Sequence, residues 1–210
     1  MWIRTLFCKQ RFNWDSTIGY NGTLDDFNES TDDRQRFVTM AVLPILTAPD
    51  RRLKQISKPI SEVDNALRRL MDDMAETMYD AEGIGLAAPQ VGVLKRVICI
   101  DLHYAHNDDG VKNPIFIANP VIVHASGEIV WKEGCLSVPE YNSEVTRFAH
   151  IVVQGWDRDN QAMEISGEAL LAVCLQHEID HLDGKLFIDH ISVLKRSILL
   201  KKLKKQKEEK

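Results

Sequence analysis

Residues 166–184 read SGEALLAVCLQHEIDHLDG, and the apolar residues in this stretch recur with the period of an α-helix that ends at Gly184. His177 and His181 stand four residues apart, which places both imidazoles on one face of the helix, where they can hold a single metal ion. The same face is apolar in the turns before the histidines. The sequence therefore predicts a core-facing helix that carries two metal ligands.

The segments on either side of this helix indicate an α+β fold. Residues 61–83 have helical periodicity, with Ser61 as the expected N-cap and Gly83 at the end. Short β-branched or alternating runs follow between residues 96 and 167, and their short connections favour antiparallel pairing. Residues 192–210 form a basic amphipathic pattern, and we expect the first two turns of this helix to pack on the domain. We therefore predict short, mostly antiparallel strands packed around a central metal-binding HExxH helix, with a long helix on its N-terminal side and a C-terminal helix.

Length and charge favour one domain with a tail at each end. The chain has 210 residues, and no apolar run reaches the roughly 18 to 20 residues that a membrane-spanning helix needs. We expect residues 1–39 to be a disordered or non-native extension, residues 40–194 to be the catalytic domain, and residues 195–210 to be a basic helical tail. The body of the chain is acidic, which argues against broad nucleic-acid binding and gives no sign of sequence-specific recognition.

The cysteines indicate a reducing compartment. The four cysteines form no CxxC pair, and the first residues do not resemble a signal peptide. We therefore expect free thiols and a cytoplasmic protein.

A catalytic metal on the predicted helix needs a third protein ligand and one open position. A thermolysin-like zinc endopeptidase takes a downstream glutamate, and a metzincin takes the last histidine of HExxHxxGxxH. The metzincin pattern is absent, because the next histidine, His190, comes nine residues after His181. Upstream, Cys135 lies in EGCLSVP at an expected strand end, and one thiolate with two imidazoles makes a Cys/His2 set that suits zinc or iron. Three alternatives stay open: Cys135 as a small buried hydrophobe, a zinc endopeptidase, and a non-catalytic binding protein with a structural metal.

Three segments together resemble the signature motifs of bacterial, iron-dependent peptide deformylases: GIGLAAPQ at 83–90, EGCLSVP at 133–139 and QHEIDHLDG at 176–184. The resemblance extends from about Met40 to the C-terminal helix. It implies a metal-dependent hydrolase that removes the formyl group from the N-terminal formylmethionine of newly synthesised proteins and releases formate. It also implies N-formylmethionyl nascent peptides as partners and, as in some relatives with long C-terminal helices, contact with the ribosome; we expect a monomer.

The same resemblance implies the roles of individual residues. It gives Cys135, His177 and His181 as the metal ligands and Glu178 as the general acid/base. It gives the side chain of Gln90 and the backbone N–H of Leu136 as the donors that stabilise the oxyanion. One divalent metal per chain is implied, Fe2+ in the cell, which Zn2+, Ni2+ or Co2+ can replace in the purified protein. In this chemistry the metal lowers the pKa of its water from about 15.7 towards 7, Glu178 takes the proton, and the hydroxide attacks the formyl carbon.

The substrate requires a groove and an apolar pocket beside these residues. An extended peptide could add as a further strand along the glycines of GIGLAAPQ, so we expect Gly85 to contact the substrate. Candidates for the methionine pocket, with core packing as the alternative role, are Ile84, Leu170, Val173 and Cys174. Nearby, Glu133 and Arg147 are expected to form a buried pair that braces the Cys135 strand, and Asp180 is expected to orient a neighbour.

Overall fold

A computed structural model describes residues 40–106 and 110–208. The extension predicted for residues 1–39 lies outside this range. In the described ranges the helices are α1 (Asn65–Asp80), α2 (Leu102–His106), α3 (Ala169–Leu182) and α4 (Val193–Glu208). The strands are β1 (Gly85–Ala87), β2 (Val97–Ile100), β3 (Ile115–Ser126), β4 (Ile129–Cys135), β5 (Val138–Arg147), β6 (His150–Trp156) and β7 (Ala162–Glu168). Short 3-10 helices lie at Arg51–Lys54, Ala88–Val91 and Phe187–Asp189.

The strands form two antiparallel sheets. A five-stranded sheet has the order β1-β2-β3-β6-β7, and a separate two-stranded sheet joins β4 to β5. Every pair of neighbouring strands is antiparallel. The predicted α+β class with antiparallel strands is therefore confirmed.

The five-stranded sheet is covered by a helix on each face where β2 lies. All four residues of β2 are buried, and because side chains alternate across a strand, two point to each face. Val97 and Cys99 belong to a cluster with Met71, Met74 and Met78 of α1. Ile98 and Ile100 belong to a second cluster with Leu175 of α3. The methionines of α1 are therefore core residues.

Helix α1 begins later than the sequence predicts. Its N-cap is Asp64, whose carboxylate accepts a hydrogen bond from the N–H of Leu67 at 2.7 Å, and not Ser61. The residues before it are extended, because the side chain of Asn160 bonds both backbone groups of Val63, at 2.6 and 3.1 Å. Asp64 caps the helix locally, and the contact with Asn160 keeps the residues before it extended.

One apolar run of the sequence forms two strands. Residues 143–157 contain the end of β5 and the whole of β6, with a corner at Phe148. Gln176 of α3 accepts a hydrogen bond from Phe148 N at 3.0 Å and donates one to Phe148 O at 2.9 Å. The corner is therefore attached to the helix that carries the two histidines.

A glycine lies two residues after the end of helix α3. Gly184 has φ +69°, and a Cβ atom there would lie 2.7 Å from the carbonyl oxygen of Lys54, so only glycine fits.

The C-terminal helix α4 packs on the domain through one side. Leu199 and Leu203 are buried on this side, whereas Val193 and Leu194 are exposed because they point away from it. Of the first two turns, which were predicted to pack on the domain, the first exposes Val193 and Leu194, and the second packs through Leu199. None of the helices in the described part of the chain is long and apolar enough to span a membrane.

Candidate metal centre

Three side chains converge where the end of β4 meets α3. Sγ of Cys135 and one ring nitrogen each of His177 and His181 all lie within 4.8 Å of one another. The Cys135 Sγ to His181 Nε2 distance is 3.3 Å, and the two imidazole rings are nearly perpendicular at 82°. The register of the β4–β5 pair shifts between Gly134 and Cys135, so Cys135 lies at an irregular strand end. One sulfur and two nitrogens in this arrangement suit a divalent zinc-like or iron-like ion.

The orientation of the His177 ring is fixed by a buried carboxylate. Its Nδ1 lies 2.7 Å from Oε2 of Glu133, which leaves Nε2 for the centre. Arg147 donates to both oxygens of the same carboxylate, at 2.6 and 3.0 Å. Burial opposes ionisation of Glu133, but the hydrogen bonds from His177 and Arg147 keep the pKa of this carboxyl group below its ordinary value. The structure thus contains the Glu133–Arg147 pair expected from the sequence and attaches it to a candidate ligand.

Asp180 and His190 continue this series of hydrogen bonds towards the protein surface. Arg147 Nη1 donates to Asp180 Oδ2 at 2.6 Å, and His190 Nε2 lies 2.7 Å from the same oxygen. Burial opposes ionisation here too, but the hydrogen bonds from His190 and Arg147 lower the pKa of Asp180 to about 2. Asp180 therefore orients a neighbour, as its position off the ligand face indicated. Apart from its residue type, nothing in the sequence around His190 indicates this position.

Glu178 sits on the pocket side of α3 without a partner for one of its oxygens. Its Oε2 atom is buried and has no hydrogen-bond partner among the described residues. Burial raises the pKa of this carboxyl group to about 7, with opposing effects from His177, which lowers it, and Glu133, which raises it. The carboxylate lies against Gly85, where a Cβ atom would be 2.5 Å from Oε1. The glycine is thus needed for the position of Glu178, in addition to any contact with a substrate.

Gln90 is held beside the thiol by three polar contacts. Its Oε1 accepts from the N–H of Ala87 at 2.8 Å, and its Nε2 donates to Ser137 Oγ at 3.1 Å and lies 3.7 Å from Cys135 Sγ. The N–H of Ser137 in turn points to Cys135 Sγ at 3.4 Å. Ser137 was missed by the sequence analysis, although it lies inside EGCLSVP. The amide of Gln90 therefore has a fixed direction next to the candidate ligand.

The residues predicted to take part in catalysis and substrate binding share one pocket. It is lined by Gly83, Ile84, Gly85, Gln90, Glu133, Gly134, Cys135, Leu136, Leu170, Val173, Cys174, His177 and Glu178. All five residues proposed for substrate contact are in this set, and four of them are apolar side chains that form one wall. His181 is not among the lining residues, and it is only 1% exposed. Cys174 is buried, and burial raises the pKa of its thiol, so it is an apolar wall residue and not a nucleophile.

Comparisons with known proteins agree on one family. A family profile described as polypeptide deformylase matches residues 42–197. Peptide deformylase from Methylocella silvestris is 51% identical over 79% of this chain and 85% of its own, and that from Syntrophobacter fumaroxidans is 51% identical over 81% and 98%. A crystal structure of a peptide deformylase from Legionella pneumophila has a TM-score of 0.73 and 47% identity, covering 81% of this chain and 99% of the other. A peptide deformylase from Ehrlichia chaffeensis, in complex with actinonin, has a TM-score of 0.74 and 43% identity, covering 80% and 98%.

Proposed function

The chain belongs to the polypeptide deformylase family, and we propose that it removes the formyl group from the N-terminal formylmethionine of newly synthesised proteins and releases formate. The observation that carries the proposal is the pocket that Glu178 and Gln90 line together with Cys135 and His177, two of the three convergent candidate ligands. The zinc endopeptidase alternative loses its support, because the third candidate ligand comes from a strand upstream of the helix. The non-catalytic alternative does not explain a buried carboxylate with an unpaired oxygen in that pocket.

The three convergent side chains fit a divalent metal, and we propose Fe2+ as the ion in the cell. Nδ1 of His177 contacts Glu133, which leaves Nε2 of His177 available to a metal. The thiol of Cys135 lies beside Nε2 of His181. A thiolate ligand requires a reduced cysteine, which agrees with a cytoplasmic location. When bound, the ion supplies a water of lowered pKa and a positive charge near the formyl oxygen.

Glu178 is suited to moving the proton of the attacking water. A carboxyl group with a pKa of about 7 can accept a proton at neutral pH and give it back later in the same turnover. After the formyl carbon is attacked, the amine of the methionine must leave with a proton, and Glu178 can deliver it. The absence of a side chain at Gly85 leaves room for this carboxylate.

Gln90 and the backbone of Leu136 are suited to stabilising the negative charge that develops on the formyl oxygen. Gln90 is anchored through Ala87 and Ser137, so its N–H groups need little reorganisation during the reaction. Leu136 follows Cys135 and lines the same pocket. Loss of one such donor typically lowers the rate by about 100-fold or more.

The peptide itself binds, in our proposal, with its methionine side chain against Ile84, Leu170, Val173 and Cys174 and its backbone along Gly85. β1 is the edge strand of the five-stranded sheet, so an extended peptide can pair with it through main-chain hydrogen bonds. Such pairing tolerates many sequences after the first residue.

Two assays test the function. Formate release from formyl-Met-Ala-Ser, with no internal cleavage of unformylated protein, is expected; protein cleavage without formate release would show an endopeptidase instead. Glu178→Gln should lower turnover at least 100-fold while the metal content stays the same. Glu164→Gln is the matched control, because Glu164 pairs with Gln154 on the outer surface of the sheet. Full activity of the Glu178 variant would refute its role as the base.

We further infer that the enzyme is a monomer that contacts the ribosome through α4. The helix exposes Lys195, Lys201, Lys202, Lys204 and Lys205, and such a basic surface is complementary to phosphate-rich RNA. Deleting residues 195–210 would also remove the buried Leu199 and Leu203, so replacing the five lysines by glutamine is the sharper test. Co-sedimentation with ribosomes that is unchanged by these substitutions would count against the contact.

A further inference from the structure

His190 lies at the solvent end of a continuous series of hydrogen bonds that starts at His177. The contacts run from the His177 ring to Glu133, from Glu133 to Arg147, from Arg147 to Asp180 and from Asp180 to His190. The side chains of Glu133 and Arg147 are 2% and 5% exposed, whereas that of His190 is 34% exposed. The series therefore connects a candidate metal ligand with the protein surface.

The direction of the last contact follows from the chemistry of its two groups. An ionised carboxylate only accepts hydrogen bonds, so Nε2 of His190 must carry the proton and donate it to Asp180. Arg147 Nη1 donates to the same Oδ2 atom, and the Arg147 to His190 distance is 3.4 Å. Two donors thus converge on one oxygen, and they define the rotamer of Asp180. With Asp180 fixed, Arg147 is held at both ends, by Glu133 and by Asp180.

We propose that His190 is a positioning residue of the metal centre: by fixing Asp180 it holds Arg147 and Glu133, and through them the orientation of the His177 ring towards the ion. The inference rests on the metal site of the proposed function. Partners behind a metal ligand typically change metal affinity by about 10- to 100-fold when removed. Three residues lie between His190 and the ligand His177. We therefore expect removal of the His190 side chain to weaken metal binding by about tenfold, at the lower end of this range.

A purely structural role of His190 makes a different prediction. His190 follows the 3-10 helix Phe187–Asp189 and precedes α4, so its loss could simply loosen this connection. In that case the free energy of unfolding would fall, but the folded protein would bind metal as before. Metal affinity and the geometry of the bound ion therefore separate the two roles.

The test uses the full-length apo protein and Co2+, with the dissociation constant measured by competition with a chelator and the ligand geometry followed by the visible spectrum of the Co2+ form. His190→Ala should weaken Co2+ binding by about tenfold and shift the spectrum, whereas His190→Gln, which keeps an N–H donor, should restore most of both. His150→Ala is the matched control, because His150 makes a comparable contact with Glu168, at 2.5 Å, on the outer surface of β6 and β7. This variant should match the original protein.

The pathway through Asp180 is tested by a double-mutant cycle. In an Asp180→Asn background, His190→Ala should change the Co2+ dissociation constant by less than about twofold, because residues that act through a common partner are not additive. Unfolding in urea identifies any loss of stability, and His190→Met, which keeps bulk without a donor, replaces the alanine variant if that variant does not fold.

Three outcomes would overturn the inference: unchanged Co2+ affinity and spectrum in His190→Ala, equal weakening by Ala and Gln, or full additivity with Asp180→Asn. If the original protein itself binds no Co2+, the metal site of the proposed function fails, and the inference fails with it. Normal Co2+ binding in both the original protein and His190→Ala refutes the role of His190 alone.

Discussion

The contact between Gly85 and Glu178 gives a prediction whose size follows from the structure. A Cβ atom at residue 85 would lie 2.5 Å from Oε1, 2.9 Å from Cδ and 3.0 Å from Cγ of Glu178. To bring the oxygen from 2.5 Å to an ordinary contact of about 3.4 Å, the carboxylate must move by about 0.9 Å. A misplacement of about 1 Å in a catalytic group can cost about 100-fold in rate. Gly85→Ala should therefore lower kcat by about 100-fold.

The three heavy atoms nearest to the added methyl group all belong to Glu178 and not to a candidate ligand, so Gly85→Ala should keep its metal. The assay is formate release with formyl-Met-Ala-Ser under saturating substrate, combined with metal analysis of the same preparation. A shorter acid makes room, so Glu178→Asp should cost less activity in the Gly85→Ala background than in the original protein. The reasoning would be refuted by a kcat within about threefold of the original, or by strict additivity of the two substitutions.

Three further perturbations test other parts of the structure. Gln90→Ala should lower kcat by about 100-fold in formate release, and it should also lower the unfolding free energy in urea by about 1–3 kcal/mol because it leaves the buried N–H of Ala87 unpaired; an unaltered kcat would contradict its role as an oxyanion donor. Arg147→Met leaves Glu133 buried without its cation and should destabilise the fold by about 3–5 kcal/mol in urea; equal stability would contradict this. Burial opposes ionisation of Asp189, but hydrogen bonds from Lys54 and from the N–H of Leu186 lower the pKa of its carboxyl group. The ionised carboxylate therefore stabilises the fold at any pH above the pKa of the unfolded state, which is about 4. This stabilisation is lost as the pH falls through the lower pKa of the folded state. Asp189→Asn should therefore be less stable at pH 7, by about 1 kcal/mol, and the difference should shrink in acid; a difference independent of pH would refute it.

The parts of the fold that depend on local periodicity were predictable from the sequence. Apolar residues at the helical period predicted α3, and the four-residue spacing of His177 and His181 predicted that both lie on its inner face. The four consecutive apolar residues of β2 are typical of a strand that is buried on both faces, and the two core clusters lie one on each face. Antiparallel pairing followed from the short connections.

The parts that depend on contacts between distant segments were not predictable in this way. The extended conformation of Val63, just before the Asp64 cap of α1, is held by Asn160, which is 97 residues away in the chain. The division of the run into β5 and β6 is set by Gln176, 28 residues from Phe148. The same holds at the centre: Glu133 and His190 reach the ligands only through the packing of the β4–β5 pair and the segment after α3. Side-chain contacts of this kind have no periodic signature in the sequence.

The separate origin of the three candidate ligands leads to a final prediction. Cys135 belongs to the two-stranded sheet, whereas both histidines belong to α3, and within the described residues the two sheets share no hydrogen-bonded strand pair. A bound ion would therefore join the β4–β5 pair to the rest of the domain, in addition to the Glu133–His177 contact and the apolar cluster around Val138 and Val145.

Removal of the metal by a chelator should increase hydrogen exchange in residues 129–147 more than in β2 or β3, because those strands are fixed by α1 and α3 without the ion. Cys135→Ser should have a similar effect even in the presence of metal, since the hydroxyl is a much poorer ligand than the thiolate. Exchange that increases uniformly across both sheets, or in neither, would show that the metal does not hold the two sheets together.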